Sequence, residues 1–323
     1  MTTDARQTSV LAAATLLVVA SLAHAQDQDE GVKFAEHMPL ADESLVLDAV
    51  PTDFGAVAVG AHGHVLLTGD FQEWRQAESV PTRSTLTAVD FVGRQGWAVG
   101  HDSVILHSTD AGGTWERQYF APDRQQPFMD VMFLDADRGY AVGAYDLYMT
   151  TDNGGKTWTD TGGVDPDNDW HLNSILKADD GNFYIAAEQG LVYRSGDGES
   201  WDRIQLPYEG SMFGALQAAP GRVLVFGLRG HAFQTTDGGM TWEPVDTGTD
   251  SSLFGGRVLQ GGTIVLAGNG GTYVTSSPGG DAFTAHRLAE GEPLAGALRS
   301  TGGSLVFYGV TGIGDEQSEG GEE

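Results

Sequence analysis

The chain has 323 residues, 46 of them glycine, no cysteine, and a formal net charge of −28 from 45 acidic and 17 basic side chains. That balance argues against nucleic acid or anionic lipid as a partner, because like charges repel and no basic patch survives. Without cysteine there is no disulfide framework, no lipid-anchored N-terminal cysteine and no thiolate metal site.

Residues 1–25 read as a secretory signal. Arg6 supplies the positive start, Val10–Leu22 is an apolar run, and Ala23-His24-Ala25 has the small-x-small form of a cleavage site. The mature protein is expected to begin at Gln26 and to be soluble and exported, most simply to the periplasm. No later apolar stretch is long enough to span a bilayer as a helix.

From Leu45 onward one phrase recurs. Its copies run Thr68-Gly-Asp70 to Trp74, Ser108-Thr-Asp110 to Trp115 and Thr150-Thr-Asp152 to Trp158, then Ser195-Gly-Asp197 to Trp201 and Thr235-Thr-Asp237 to Trp242. A degenerate sixth copy ends at Phe283, and the terminal aromatics stand 41, 43, 43, 41 and 41 residues apart. A period of roughly 40–45 residues built from short strands is that of a β-propeller blade. In the second unit the expected strands are Leu86–Phe91, Gly96–Gly100, Val104–Ser108 and Trp115–Gln118. The second strands rhyme in small residues (Ala58-Val-Gly60, Ala98-Val-Gly100, Ala141-Val-Gly143), which lets backbones approach closely near the axis.

In each phrase the aspartate is positioned to accept amides of its own turn, glycine permits positive φ, and the tryptophan buries between blades. These aspartates are therefore read as structural, not as a ring of catalytic acids. The phrase matches the Asp-box, S-x-D-x-G-x-T-W, fully at Asp110 and Asp237. Asp152 has one residue too many before its Trp; Asp70 and Asp197 have one too few.

Whole units such as Gly96-Trp-Ala-Val-Gly100 followed by the box at Ser108–Trp115 resemble the photosystem II stability and assembly factor family and its non-photosynthetic bacterial relatives. The resemblance covers roughly residues 45–310. It implies a seven-bladed all-β propeller with four-stranded antiparallel blades, favoured over a six-bladed ring. The seventh blade is expected to be composite, with Val32–Met38 joining Leu294–Arg299 and Ser304–Val310 so that the chain ends close the ring. The domain expectation is thus a signal at 1–25, one propeller at 26–312 and a disordered acidic tail at 313–323.

In the resembled fold the turns after the second strands share a face opposite the Asp-boxes. That places His62, His101, Asp102, Tyr145, Asp146, Glu188, Arg229, His231 and Asn269 as a binding ring at the channel mouth. Such a mixed set suits a polar ligand or peptide. Two local patterns invite a metal and are set aside. His62-Gly-His64 lacks an adjacent third ligand. Asp165-Pro-Asp167-Asn-Asp169 opens like a calcium loop, but Trp170 replaces the turn glycine and Leu176 the closing glutamate, which leaves a solvated acidic linker.

The enzymatic rival is a sialidase or another Asp-box glycoside hydrolase. Sialidases need an arginine cluster, and the thirteen arginines after the signal are dispersed, with Arg229 alone clearly on the ring. Asp102, Asp146 or Glu188 would be the carboxylates available to a hydrolase. The favoured reading is a non-catalytic interaction scaffold or assembly factor, monomeric and without cofactor, for a membrane protein complex such as a transporter. The resemblance implies a basic patch as the client surface, and this acidic chain departs from that.

Overall fold

The computed structural model describes residues 31–315; the expected signal at 1–25 and everything after Asp315 lie outside them. The chain divides into Met1–Lys33 and Phe34–Glu323, and the second unit is the propeller. Seven antiparallel sheets follow one another in sequence, six with four strands and the last with three. In the second blade the strands are Leu86–Val92, Gln95–Gly100, Val104–Ser108 and Glu116–Tyr119, running from the axis outward.

The innermost strands are Val46–Thr52, Leu86–Val92, Phe128–Phe133, Leu172–Lys177, Met212–Ala219, Leu253–Val258 and Leu294–Arg299. Each packs on the innermost strand of the next blade, and the seventh meets the first, so the ring closes. The core is correspondingly divided. Seven apolar clusters sit one at each blade interface. Burying one Val or Leu there contributes about 1.5–3 kcal/mol. The box tryptophans face backward along the chain. Trp115 packs on Val57, Val59 and Leu67 of the first blade, and Trp242 packs beside Tyr184 and Val192 of the fourth.

The boxes act as turns. At Asp110, Oδ1 accepts the Ser108 hydroxyl at 2.8 Å and the Thr114 amide at 2.9 Å, while Oδ2 accepts the Thr114 hydroxyl at 2.8 Å. Asp237 repeats this with Thr235 and Thr241. The third box departs from the sequence reading, because its acceptor is Asn153 and not Asp152. Asn153 Oδ1 takes the Thr151 hydroxyl at 3.0 Å and the Thr157 amide at 3.0 Å, and Thr151 Oγ1 accepts the Gly155 amide. Read from Thr151, the copy has the full eight-residue spacing, with asparagine in place of aspartate.

Six of the seven second strands end in glycine, the fourth blade's ending at Ala187, and those glycines have one cause. A Cβ at Gly100 would strike the Thr85 carbonyl oxygen, and Gly60, Gly143, Gly227, Gly268 and Gly309 meet the same atom of their own blades. Closure differs from expectation. Val32–Met38 contains no strand. Phe34–Met38 runs along the first blade's outer side instead: Ala35 N–H donates to Val80 O at 2.9 Å, and Gln76 binds Met38 N and Glu36 O. The seventh sheet draws its third strand from Gly312–Asp315, so the propeller extends past 312 into residues assigned to the tail. The chain ends meet there through a short turn. Ala41 packs with Leu298, Val306 and Tyr308 of the seventh blade.

Candidate functional site

Six of the seven second strands lead into the same tight turn, whose middle residue has left-handed backbone: His62, Asp102, Tyr145, Gln189, Arg229 and Gly270, with φ between 55° and 65°. Exposed side chains of His62, Asp102, Tyr145 and Arg229 mark these turns among the nine expected ring residues. Only His101 among them lines the channel mouth.

Several of the others are occupied locally. Asp102 accepts the Ser84 hydroxyl at 2.6 Å. Asp146 is buried and receives the amides of Val164 and Asp165 at 3.0 and 3.1 Å; burial is the main cause that pushes its pKa up to about 6. Glu188 pairs with His171 Nδ1 at 2.8 Å and also accepts the His171 amide. Tyr145 leans on His171 with ring centroids 4.8 Å apart, and His231 stacks on Tyr208 at 4.0 Å. Arg229 and Asn269 are exposed, and both use backbone N–H groups on Ser252.

His62 and His64 do not share a strand face. His62 is in the turn, while His64 is buried with Nδ1 3.1 Å from Ser44 Oγ, and burial lowers its pKa. Among the described residues no three His, Asp or Glu side chains gather as metal ligands. The Asp165 loop is a correction of degree. Asp165 is buried, not solvated, and accepts the Tyr193 hydroxyl at 2.9 Å together with Asn168 Nδ2.

What does line the mouth is a set of residues absent from the expected ring. In every blade the innermost strand skips one pairing near its start, and the unpaired residues are Leu47, Thr87, Met129, Asn173, Phe213, Phe254 and Ala295. A β-bulge leaves one residue out of the ladder and re-aims its side chain. All seven border both the outer depression, of about 460 Å³, and the channel beneath it, of about 640 Å³. They form a collar between the two. Leu45, Pro293 and Val310 extend its apolar wall.

Below the collar three aspartates tie blade to blade. Asp48 Oδ2 accepts the Val89 amide at 2.9 Å, Asp90 Oδ2 the Phe133 amide at 2.7 Å and Asp130 Oδ2 the Ile175 amide at 2.9 Å. Burial raises all three pKa values, Asp90 to about 6 and Asp130 to about 7. Arg257 crosses the channel to donate to Ala49 O at 2.7 Å and lowers the potential cost at Asp48. The box aspartates behave in the opposite way. Hydrogen bonds from the Thr241 hydroxyl and amide hold Asp237 at about 2, and the Ser200 and Glu199 amides hold Asp197 at about 2. The carboxylates of Asp70, Asp110, Asp197 and Asp237 are each used by their own turn at the far end of the blades.

The profile of the family described as Photosynthesis system II assembly factor YCF48 matches residues 32–123 and 118–294. The chain belongs to this family. Photosystem II assembly lipoprotein Ycf48 of Synechococcus sp. (strain CC9902) is 29% identical over 37% of this chain and 38% of that protein. Photosystem II stability/assembly factor HCF136 of Arabidopsis thaliana is 29% identical over 28% of this chain and 24% of its own length. The aligned stretches thus span well under two-thirds of either relative. YCF48 bound to a D1 peptide superposes with a TM-score of 0.67 at 17% identity, covering 88% of this chain and 94% of that one. A streptogramin B lyase reaches 0.74 at 13% identity, covering 88% and 96%. The likeness to these structures therefore establishes the seven-bladed fold and nothing about activity. No helix among the described residues is long and apolar enough to cross a membrane.

Proposed function

We propose that this chain is a non-catalytic, exported assembly or accessory factor that holds an extended segment of a membrane-protein client across the channel mouth. The observation that carries the reading is the collar: an apolar depression on one face of a chain whose surface is otherwise strongly acidic. Concave sites with an apolar wall and a few polar groups are the usual form of a recognition site. Family membership supports an assembly role, and YCF48 itself takes a D1 peptide. The apolar run and small-x-small site of residues 1–25 support delivery to the periplasm, with cleavage after Ala25. The dispersed arginines favour an inner-membrane complex such as a transporter over a photosystem as the client.

Site-specific photocrosslinking in the exporting cell tests this. A crosslinker replacing Phe254 should yield an adduct whose partner is an integral membrane protein by mass spectrometry. The same group replacing Met240, which is 74% exposed on a box turn of the opposite face, should not. Membrane adducts from position 240 and none from 254 would reverse the assignment of the face. Turnover of a glycan that is abolished by Asp102→Asn or Glu188→Gln would replace the scaffold with a hydrolase.

A further inference from the structure

The mouth is not uniform round its circumference. Its apolar side chains come chiefly from the fifth, sixth, seventh and first blades, as Phe213, Phe254, Ala295, Val310 and Leu47, with Met129 of the third blade apart from them. Phe213 and Phe254 have ring centroids 5.6 Å apart, and Phe254 is 40% exposed. Across from them the collar presents Thr87 and Asn173 on either side of Met129. The links from the second to the third blade and from the third to the fourth, on the same face, carry exposed Asp123, Asp167 and Asp169. Among the described residues these three have no ion pair, while Arg124 beside Asp123 is committed to Asp160 at 2.8 Å. The links on the apolar side continue the sign with exposed Glu209, Asp250 and Glu290.

We infer that the mouth takes an extended cationic polypeptide segment, which seats one bulky apolar side chain against Phe213 and Phe254 and lays lysine or arginine over Asp123, Asp167 and Asp169. This rests on the scaffold reading and specifies the chemistry of its client. The aromatic pair supplies area to bury, and the carboxylate rim supplies sign. Complementary charge selects partners and speeds encounter more than it adds affinity. An anionic segment would meet the repulsion of a chain whose formal net charge is −28.

The test uses the mature chain and fluorescein-labelled synthetic peptides of roughly twelve residues, read by anisotropy. One is lysine-rich with a central phenylalanine, one replaces every lysine with glutamate, and one replaces the phenylalanine with serine. The first should bind, and each of the others should bind at least about tenfold more weakly. Raising salt from about 50 to about 200 mM should weaken the first by about tenfold, as screening shortens the reach of rim charges.

Phe254→Ser and the triple variant Asp123→Asn, Asp167→Asn, Asp169→Asn should each lose about tenfold. All three aspartates are exposed, so the triple variant keeps its fold. Neutralising exposed Asp53, Asp137 and Glu199 at the box end controls for bulk charge and should leave binding unchanged. Equal binding of the glutamate peptide, or indifference to the triple variant, overturns the inference. If crosslinks at position 254 still reach a membrane protein, the scaffold reading survives that loss; with neither crosslink nor peptide binding, both fall.

Discussion

Asn153 accepts the Thr157 amide at 3.0 Å and donates from Nδ2 to the Thr157 hydroxyl at 2.8 Å, the same two partners that Asp110 has in Thr114, with the hydroxyl bond reversed because a carboxylate only accepts. Asp152, one residue earlier, is exposed, and the turn's bonds go to Asn153 in its place. Removing the turn acceptor leaves amide donors to find water, at about 1 kcal/mol for a partly exposed site of this kind. Asn153→Ala should therefore lower the denaturant midpoint, whereas Asp152→Ala should stay within about 0.5 kcal/mol of the parent. A larger loss at 152 than at 153 would restore the register first read. The ambiguity is physical. Thr150-Thr151 and Asp152-Asn153 are doublets of near-equivalent hydrogen-bonding residues, and a spacing rule alone favours the charged member. Where no second Asp or Asn follows the first, as at Asp110, sequence and structure agree on the acceptor.

Among the elements, the innermost strands carry the least legible feature. Their bulge places a side chain at the mouth in every blade, yet Leu47, Thr87, Met129, Asn173, Phe213, Phe254 and Ala295 share no chemistry that a repeat search would align. The turns after the second strands were readable as a face because their position follows from topology. Their left-handed middle residue, exposed as His62 or Arg229, has no signature beyond occasional glycine. The same innermost strands set a pH dependence. Asp90 and Asp130 keep protons to about 6 and about 7 in the folded chain, against an unfolded value of about 3.9. Between those limits the native state binds more protons, so stability falls as pH rises. The contribution is complete below about pH 4 and is lost through the folded values. Asp197 and Asp237, held at about 2, act oppositely: their contribution is present above about pH 4 and disappears as pH falls through 2. The urea midpoint should accordingly drop between pH 5 and 8, and Asp130→Asn, which mimics the protonated group, should flatten that drop. A midpoint that holds or rises over this interval would show that the channel carboxylates are ionised throughout.

At the scale of the whole molecule, the ring has seven interfaces and one seam. Each blade is built from one unbroken stretch, and the first six have the four strands of the repeat, which is why a repeated aromatic phrase sufficed to reveal the architecture. The seam is where the repeat ends, and there sequence patterning has nothing to align. The sheet of the seventh blade is completed from Gly312–Asp315, and the turn Ala41–Glu43 leans on that strand. Gly312 has φ +90°, and a Cβ there would collide with the Asp42 carbonyl oxygen. Both the backbone conformation and the close approach require glycine. Gly314, two residues on in the same strand, has open space around an added Cβ. A single methyl at 312 must therefore either push the Ala41–Glu43 turn away or unpair the last strand. A substitution incompatible with native backbone costs more than the ~1 kcal/mol seen at permissive sites. Gly312→Ala should lower thermal stability by several degrees and expose Ala41–Glu43 to faster amide exchange, while Gly314→Ala leaves both unchanged. If the two variants melt together, the seam does not bear on closure of the ring. The seventh blade would then be held by Leu298, Val306 and Tyr308 packing on the first blade alone.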